Sequence, residues 1–488
     1  MSTAKSSYDV SKLLRSAAEG AEPKTGAVPL YKTNDTGNAQ RLVEHHGADF
    51  RYVAKQREFI IWDEHRWKFD TDALELTQWL KQTNSLIWEE AQQFSDPEMQ
   101  KSRAKWAVYS QNTSKLTAAI ENVKSEPGVA IDLKQLDADP MLLGVENGVV
   151  DLRTGKFRAA RQEDFITKSA GCAFDAKAKC PKFRKLLAAM FTPEVVAYFR
   201  RVLGYTLTGQ TIEQVLFLLL GVAKAGKSVL LETIKAMMGG YAVNARTDLL
   251  VAHARTSKGA QSEDEARLAG ARLVTVNETV EGMRLNEALI KDLTGGDTVT
   301  ARAMYKSSAE FLPQFKIFIR GNHKPRFAGD DGAMRRRAKL VWCENAVPEK
   351  RRDKNLKKKL MKELPGILNF AVQGCREWQR SGLSEPAGVS SVTEEYLNEN
   401  DTLGRFIDEC CVLQPAAKIG VRKLYKRYEI WITQTGQYPL SEVRFSDKMV
   451  ERGHKKDRNK HGKTLAGIRF KDPPTDAEIR EMSAAGEL

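Results

Sequence analysis

The sequence predicts an α/β fold, and three observations carry that prediction. The apolar run Val215-Leu216-Phe217-Leu218-Leu219-Leu220 has the length and composition of a strand buried on both faces. It leads into GVAKAGKS and then VLLETIKAMM, a glycine-containing turn followed by an apolar helical pattern. From residue 211 to about residue 343, short β-rich runs alternate with helical patterns, as in a parallel sheet covered by helices. A mostly helical domain is expected before this core and a compact basic module after it.

Taken in order, residues 1–30 read as a flexible tail with one short helical pattern over 10–18. Residues 31–205 read as the mostly helical domain. Thr36 is placed to cap a helix through about His46, with Gly47 ending it. The runs 59–62 and 66–69 flank Asp63-Glu64-His65 and predict a hairpin. Residues 70–93 and 96–123 follow as two long helical patterns. Trp62, Trp67, Trp79, Trp88 and Trp106 fall in this region and read as core, with base stacking as the alternative. In GVENGVVDLRTGKFR, Asn147-Gly148 and Thr154-Gly155 are turn signals between β-rich residues. Two more helical segments lead to Gly209.

The α/β core occupies 206–380, with 347–380 helical and basic. Residues 381–402 carry Ser, Gly, Pro and acids and read as a linker. Residues 403–471 form the basic module, and 472–488 a tail.

Composition bounds the function. The chain has 488 residues, about three domains at ~150 residues each. Its 77 Lys+Arg against 63 Asp+Glu give a formal net charge of +14, which favours an anionic partner, nucleic acid first. No apolar run approaches ~18 residues, so no membrane span is expected. The N-terminus has no apolar signal region. The six cysteines show neither a CxxC pair nor zinc spacing, which predicts reduced structural thiols and a cytoplasmic location.

The chemistry concentrates in Gly221-Val222-Ala223-Lys224-Ala225-Gly226-Lys227-Ser228, with Val229 opening the helix. This is the P-loop pattern. Its glycines permit a backbone that turns successive N–H groups towards phosphate oxygens, and the helix N-terminus adds partial positive charge. Lys227 is expected to reach the β/γ-phosphates of ATP and the Ser228 hydroxyl to ligate Mg2+. RLVTV then predicts a strand ending at Asn277-Glu278. Glu278 at that strand tip can polarise an attacking water and stand near the metal. Asn277 occupies a position where many NTPases carry a metal-associated aspartate. FKIFIRGN predicts another strand ending near Asn322, a γ-phosphate sensor or water-holding amide. Arg335-Arg336-Arg337 reads as an arginine finger acting on a neighbour's ATP, with a solvated basic turn as the alternative.

These motifs occur in an order that resembles superfamily 3 helicases, an AAA+-like branch of the P-loop NTPases. The closer resemblance is to the helicase portion of phage, plasmid and poxvirus-type primase-helicases. It rests on residues 268–342, and ENGVVDLRTGKF and TGNAQRLVEHHG resemble the domain preceding the motor in those proteins. It covers about 33–471. The resemblance implies Walker A at Gly221–Ser228, the Walker B strand at 273–278, the sensor asparagine at Asn322 and the trans-acting arginine at Arg336 or Arg337. It also implies a homo-oligomeric, hexameric ring. Asn277 departs from the acidic pair of many members, which leaves metal ligation at that strand open.

Within the segment particular to this superfamily, 298–304 and 310–315 can pair as strands around Tyr305-Lys306-Ser307-Ser308. A basic, aromatic hairpin tip suits the grip of a single strand by phosphate contact and stacking. Arg302, Tyr305 and Lys306 are the expected DNA contacts. The last module has 16 Lys+Arg against 7 Asp+Glu over 402–471. It reads as two helices, the second capped by Ser441 and ended by Gly453, followed by a basic hairpin. This is a winged-helix-like arrangement, with Arg444, Lys448, Lys455, Lys456, Arg458 and Lys460 facing duplex phosphates.

The resulting expectation is an ATP-dependent DNA helicase of phage or plasmid replication. It would use ATP and Mg2+, act on single-stranded and forked DNA, and work beside a separate primase or polymerase. The alternatives are a primase-helicase with residual priming and an origin-binding protein that uses ATP as a structural ligand. The first 200 residues show no persuasive strand with the paired carboxylates a polymerising site needs.

Overall fold

The structure, a computed structural model, describes residues 31–252, 264–277, 282–301, 309–327, 332–435, 438–459 and 462–473. The short helical pattern over 10–18 lies outside these residues. The chain divides into two compact units, 31–151 with 156–173, and 152–155 with everything from 174 onward.

The first unit opens with α1 (Asp35–His46), capped by the Asn34 side chain, which accepts from Gly37 N. The cap therefore falls two residues before Thr36. Strands β1 (Phe50–Val53), β2 (Glu58–Trp62) and β3 (Trp67–Asp70) form an antiparallel ladder. The Asp63 carboxylate ties the β2–β3 turn by accepting from His65 N and Arg66 N. The first long helical pattern is split into α2 (Leu74–Ser85) and α3 (Ile87–Gln92). Thr83 and Ser85 hydroxyls bond back to the carbonyls of Trp79 and Lys81 just before the break, a local competition that bends helices. The second pattern splits into α4 (Pro97–Tyr109) and α5 (Thr113–Val123), where the Ser110 carbonyl accepts from Asn84 Nδ2.

A short β4 (Ala130–Ile131) adds to β1 in parallel. Leu42, Phe50, Phe59, Leu80, Leu116 and Val123 form the core between sheet and helices. Buried Glu90 is held by Arg41 and Arg103, the required pairing for a carboxylate taken out of water. Trp67 is fully buried and Trp106 donates to Asn38 Oδ1, whereas Trp88 is half-exposed. Strands β5 (Leu142–Val145), β6 (Gly148–Asp151) and β7 (Lys156–Arg158) form a meander; its first turn is Glu146-Asn147, one residue before the expected Asn147-Gly148, and its second runs over 152–155 and contains Thr154-Gly155.

The second unit begins with α6 (Pro181–Met190) and α7 (Pro193–Leu207). These two helices thus pack with the α/β core rather than with the helical region before it. The core contains β8 (Leu216–Gly221), α8 (Lys227–Met238), β9 (Ala242–Ala245), β10 (Leu273–Asn277), α9 (Glu287–Gly295), the hairpin β11 (Val299–Ala301) and β12 (Ala309–Phe311), β13 (Lys316–Arg320), α10 (Gly332–Arg337) and β14 (Ala338–Cys343). Five strands form one parallel sheet in the order β14-β8-β13-β10-β9. The fold is mixed α/β around this sheet. Strand β8 is buried along its whole length, which is why its sequence shows no polar alternation.

Beyond the sheet come α11 (Leu356–Met361), α12 (Leu364–Ser381) and α13 (Ala387–Asn400). The segment read as a linker therefore contains a helix. Tyr396 and Leu397 of α13 are buried in the core of the sheet, and Thr393 Oγ1 accepts from Leu340 N of β14. Its Ser- and Glu-rich composition is that of its exposed face.

The last part comprises α14 (Thr402–Cys410), β15 (Cys411–Gly420), α15 (Val421–Gln434), α16 (Glu442–Glu451), β16 (Lys456–Asn459) and β17 (Gly462–Phe470). Its sheet is antiparallel, in the order β15-β17-β16, around a core of Phe406, Leu424, Tyr428, Phe445, Met449 and Ile468. Ser441 caps α16 by accepting from Arg444 N, and Gly453 follows it at φ +94°. All six cysteines are free thiols. Among the described residues no helix is long and apolar enough to cross a membrane.

Candidate nucleotide site

The loop from Gly221 to Ser228 joins the carboxyl end of β8 to the first turn of α8. Gly221 has φ +138°, and a Cβ there would come within 2.1 Å of Cys343 O on the adjacent β14, so only glycine fits. Gly226 has φ +94° at the helix entry. Val222 N donates to Cys343 O and Val347 N to Lys224 O, which fastens the loop to the chain leaving β14.

Lys227 is buried, and its Nζ donates to Gly221 O at 2.8 Å, Val222 O at 2.6 Å and Asn322 Oδ1 at 3.0 Å. Burial holds its ammonium below the ordinary lysine range, and the charge of Arg320 acts in the same direction. Ser228 is exposed beside it. Asn322 reaches Lys227 because β13 is inserted directly beside β8, so the residues after both strands share one edge of the sheet. Ligands of open parallel sheets bind outside this carboxyl edge.

The loop opens into a cleft of about 1220 Å³. Leu186, Ala189, Val347 and Leu356 supply its apolar lining. Lys182, Lys185, Lys224, Arg320, Arg352, Lys354, Lys357 and Lys359 surround it, and Asp353 is the single carboxylate among the lining residues. That carboxylate is taken by Lys359 at 2.6 Å. Of these rim cations, sequence reasoning named Lys224 and missed the others. For Arg352, Lys354, Lys357 and Lys359 the signal was the run RRDKNLKKK, which reads only as a basic helix until the chain is folded back over the loop.

At the tip of β10, Asn277 Nδ2 donates to Asn244 Oδ1 at 2.8 Å, while Asn277 Oδ1 is buried without a hydrogen-bond partner among the described residues. Glu278 lies outside the described residues, as do Arg302, Tyr305, Lys306 and Lys460. Among the described residues no group of three or more His, Cys, Asp or Glu gathers to hold a metal by itself.

The two arginines of the expected finger separate. Arg337 is buried; its Nε donates to Thr294 Oγ1 at 3.0 Å and its Nη1 to Ala333 O at 3.1 Å. Arg336 is exposed. Both precede Ala338, which is in register with Leu216 at the start of β8, whereas the loop follows Gly221 at the other end. Five residue steps of strand separate the two edges by roughly 17 Å.

In the last module Arg444, Lys455, Lys456 and Arg458 are exposed and Lys448 is half-buried. Lys456 lies 3.7 Å from Asp447. Helix α16 itself carries Glu442, Asp447 and Glu451 beside Arg444 and Lys448. Arg444 shares a cleft of about 830 Å³ with Arg284 and Lys291 of the core.

Three family models match the chain in order: "D5 N terminal like" over residues 39–192, a family of unknown function over 219–337, and "Poxvirus D5 protein-like" over 398–468. A protein of Acanthamoeba polyphaga mimivirus named as a putative helicase is 29% identical over 333 residues, covering 63% of this chain and 35% of that protein. A protein of African swine fever virus named as a putative primase is 26% identical over 311 residues, covering 59% of this chain and 32% of that protein. The chain thus matches about a third of the length of these relatives. The apo structure of the NrS-1 C-terminal region superposes with a TM-score of 0.47 at 11% identity, covering 89% of this chain and 99% of that one. With a D5 N-terminal-like segment in front and a poxvirus-D5-like segment behind, the chain is similar to parts of proteins named as putative helicases and putative primases of large DNA viruses.

Proposed function

We propose that the chain is the ATP-driven motor of a DNA helicase that works in replication as a ring of identical subunits. The observation that carries this reading is the meeting of Lys227 and Asn322 at the carboxyl edge of the sheet, under a cleft walled by cations. In this reading the Gly221–Ser228 loop and Lys227 hold the triphosphate of ATP, and the aliphatic lining receives the base. Asn322 orients the attacked phosphate, and Glu278 takes the water's proton.

The donors present fit Mg2+. Exposed Ser228 and the unpartnered Asn277 oxygen offer neutral oxygens, and Mg2+ ordinarily keeps waters and substrate phosphates as most of its shell. Ser228 and Glu278 would hold it. Bound there, the ion would neutralise charge building on the phosphate oxygens.

Arg336 lies at the opposite edge from its own loop, so it serves a neighbouring copy's nucleotide. This supports a ring with sites between subunits. The hairpin β11–β12, with Arg302, Tyr305 and Lys306, is assigned to single-stranded DNA. The last module, winged-helix-like in its elements, is assigned to the duplex ahead of the fork.

Steady-state ATP hydrolysis with and without single-stranded DNA, together with unwinding of a forked duplex, tests the reading. Hydrolysis should be stimulated by DNA and abolished in both Lys227→Ala and Glu278→Gln. Full turnover by Glu278→Gln would remove that residue. ATP binding without any hydrolysis would favour the origin-binding reading, for which the amide at Asn277 is the supporting feature.

A further inference from the structure

Arg337 is a buried cation placed beside the exposed Arg336. Its environment gives it a different task. Nε donates to Thr294 Oγ1, and the Thr294 hydroxyl in turn donates to Ile290 O at 2.6 Å. Thr294 lies in the last turn of α9, which ends at Gly296 with φ +87° and turns directly into β11. Gln214 Nε2 holds the same corner by donating to Gly295 O at 3.1 Å.

The returning leg of the hairpin is fixed at the same edge of the sheet. Lys316 opens β13, is fully buried, and donates to Gln314 O at 3.3 Å, Gln210 O at 3.2 Å and Thr208 O. Both roots of β11–β12 are therefore clamped, and one clamp is made by the helix that carries Arg336. A buried guanidinium cannot release Thr294 without leaving a donor unsatisfied. Movement of α10 must then carry the end of α9 with it.

We infer that Arg337 is a positioning residue that couples the nucleotide sensed by Arg336 on the neighbouring copy to the β11–β12 hairpin through Thr294. This rests on the reading of the chain as a ring-forming DNA-stimulated ATPase. The coupling lies in the Arg337–Thr294 hydrogen bond, not in the bulk of either side chain.

The test compares wild type, Thr294→Ser and Thr294→Val as full chains. ATP hydrolysis is measured with and without oligo-dT, and melting temperature is measured alongside. Serine keeps the acceptor and should retain DNA stimulation. Valine fills the same space without it; basal hydrolysis should stay within about twofold while stimulation falls by roughly fivefold or more, the lower end of ordinary coupling between sites. If the valine protein does not fold, Thr294→Cys supplies a smaller, unbranched side chain with a poor acceptor, compared with Thr294→Ser as its steric control. A folded valine or cysteine protein stimulated as strongly as wild type overturns the inference. So does equal loss of basal and stimulated rates in the serine protein. A wild-type protein that hydrolyses ATP without any response to DNA overturns the helicase reading itself, a separate result.

Discussion

Lys227 Nζ lies 3.0 Å from Asn322 Oδ1, although ninety-five positions separate the two residues in the chain. The contact exists because β13 takes the place beside β8 in the sheet. The lysine proposed to bind phosphate and the candidate sensor are therefore in direct contact. Removing the amide should leave ATP binding nearly intact but slow hydrolysis. Asn322→Ala is expected to lower kcat by roughly 10²-fold, the scale of losing one oriented polar group in a site. Nucleotide titration and steady-state turnover separate the two effects.

The neighbouring arginines should behave differently. Arg336→Ala removes an exposed side chain, so stability should change by less than ~0.5 kcal/mol. Its turnover should fall by ~10³–10⁵ if it acts on the neighbour's ATP. Mixing it with Lys227→Ala should restore part of the hydrolysis, because some sites then pair an intact loop with an intact arginine. Arg337→Ala should instead cost about 1–3 kcal/mol of stability from the broken buried hydrogen bonds, read by urea denaturation.

Helix α13 makes the position of a truncation decisive. A chain ending at Ser381 loses Tyr396 and Leu397 from the core of the sheet and should be poorly folded. A chain ending at Asn400 should keep ATP hydrolysis. It would lose a module with 16 Lys+Arg against 7 Asp+Glu, so duplex binding should weaken and its salt dependence flatten. Circular dichroism and DNA binding at several salt concentrations check both outcomes.

The Asp63 turn offers a pH test in the first unit. Burial pushes its carboxyl up, but Lys68 at 2.8 Å and the N–H groups of Arg66 and His65 outweigh this and hold it below the usual range. An acid depressed in the fold stabilises above its unfolded value of about 3.9, and that contribution is lost as pH falls through the lower folded value. Asp63→Asn should cost about 1 kcal/mol at pH 7. The gap to wild type should close as the solution is acidified below about pH 3.9.

Much of the fold was legible because it is written locally. The unbroken apolar run of β8, the glycines on either side of the loop and the turn signals around Gly148 and Gly155 each specify a backbone shape within a few residues. What was illegible depends on distant partners. Helix α13 looked like a linker because its exposed face is polar and its buried residues are few. Arg336 and Arg337 are equivalent in sequence, and only the folded chain buries one against Thr294 and leaves the other outside. The rim lysines of 350–362 became part of the site through the return of the chain over the loop.

The sheet order also sets when the site can come into being. Strand β8 pairs with β13 and β14, whose residues lie roughly one hundred and one hundred and twenty positions later. Such distant pairings are slow to form because a long loop must close first. On a ribosome adding about 5–20 residues each second, VLFLLL would emerge many seconds before either partner. It is an uncharged, strongly apolar segment with two open edges during that interval, the kind that associates with other chains. Newly made protein should therefore depend on chaperone protection at this one strand, and slowing synthesis between residues 221 and 338 should raise the insoluble fraction more than slowing it elsewhere.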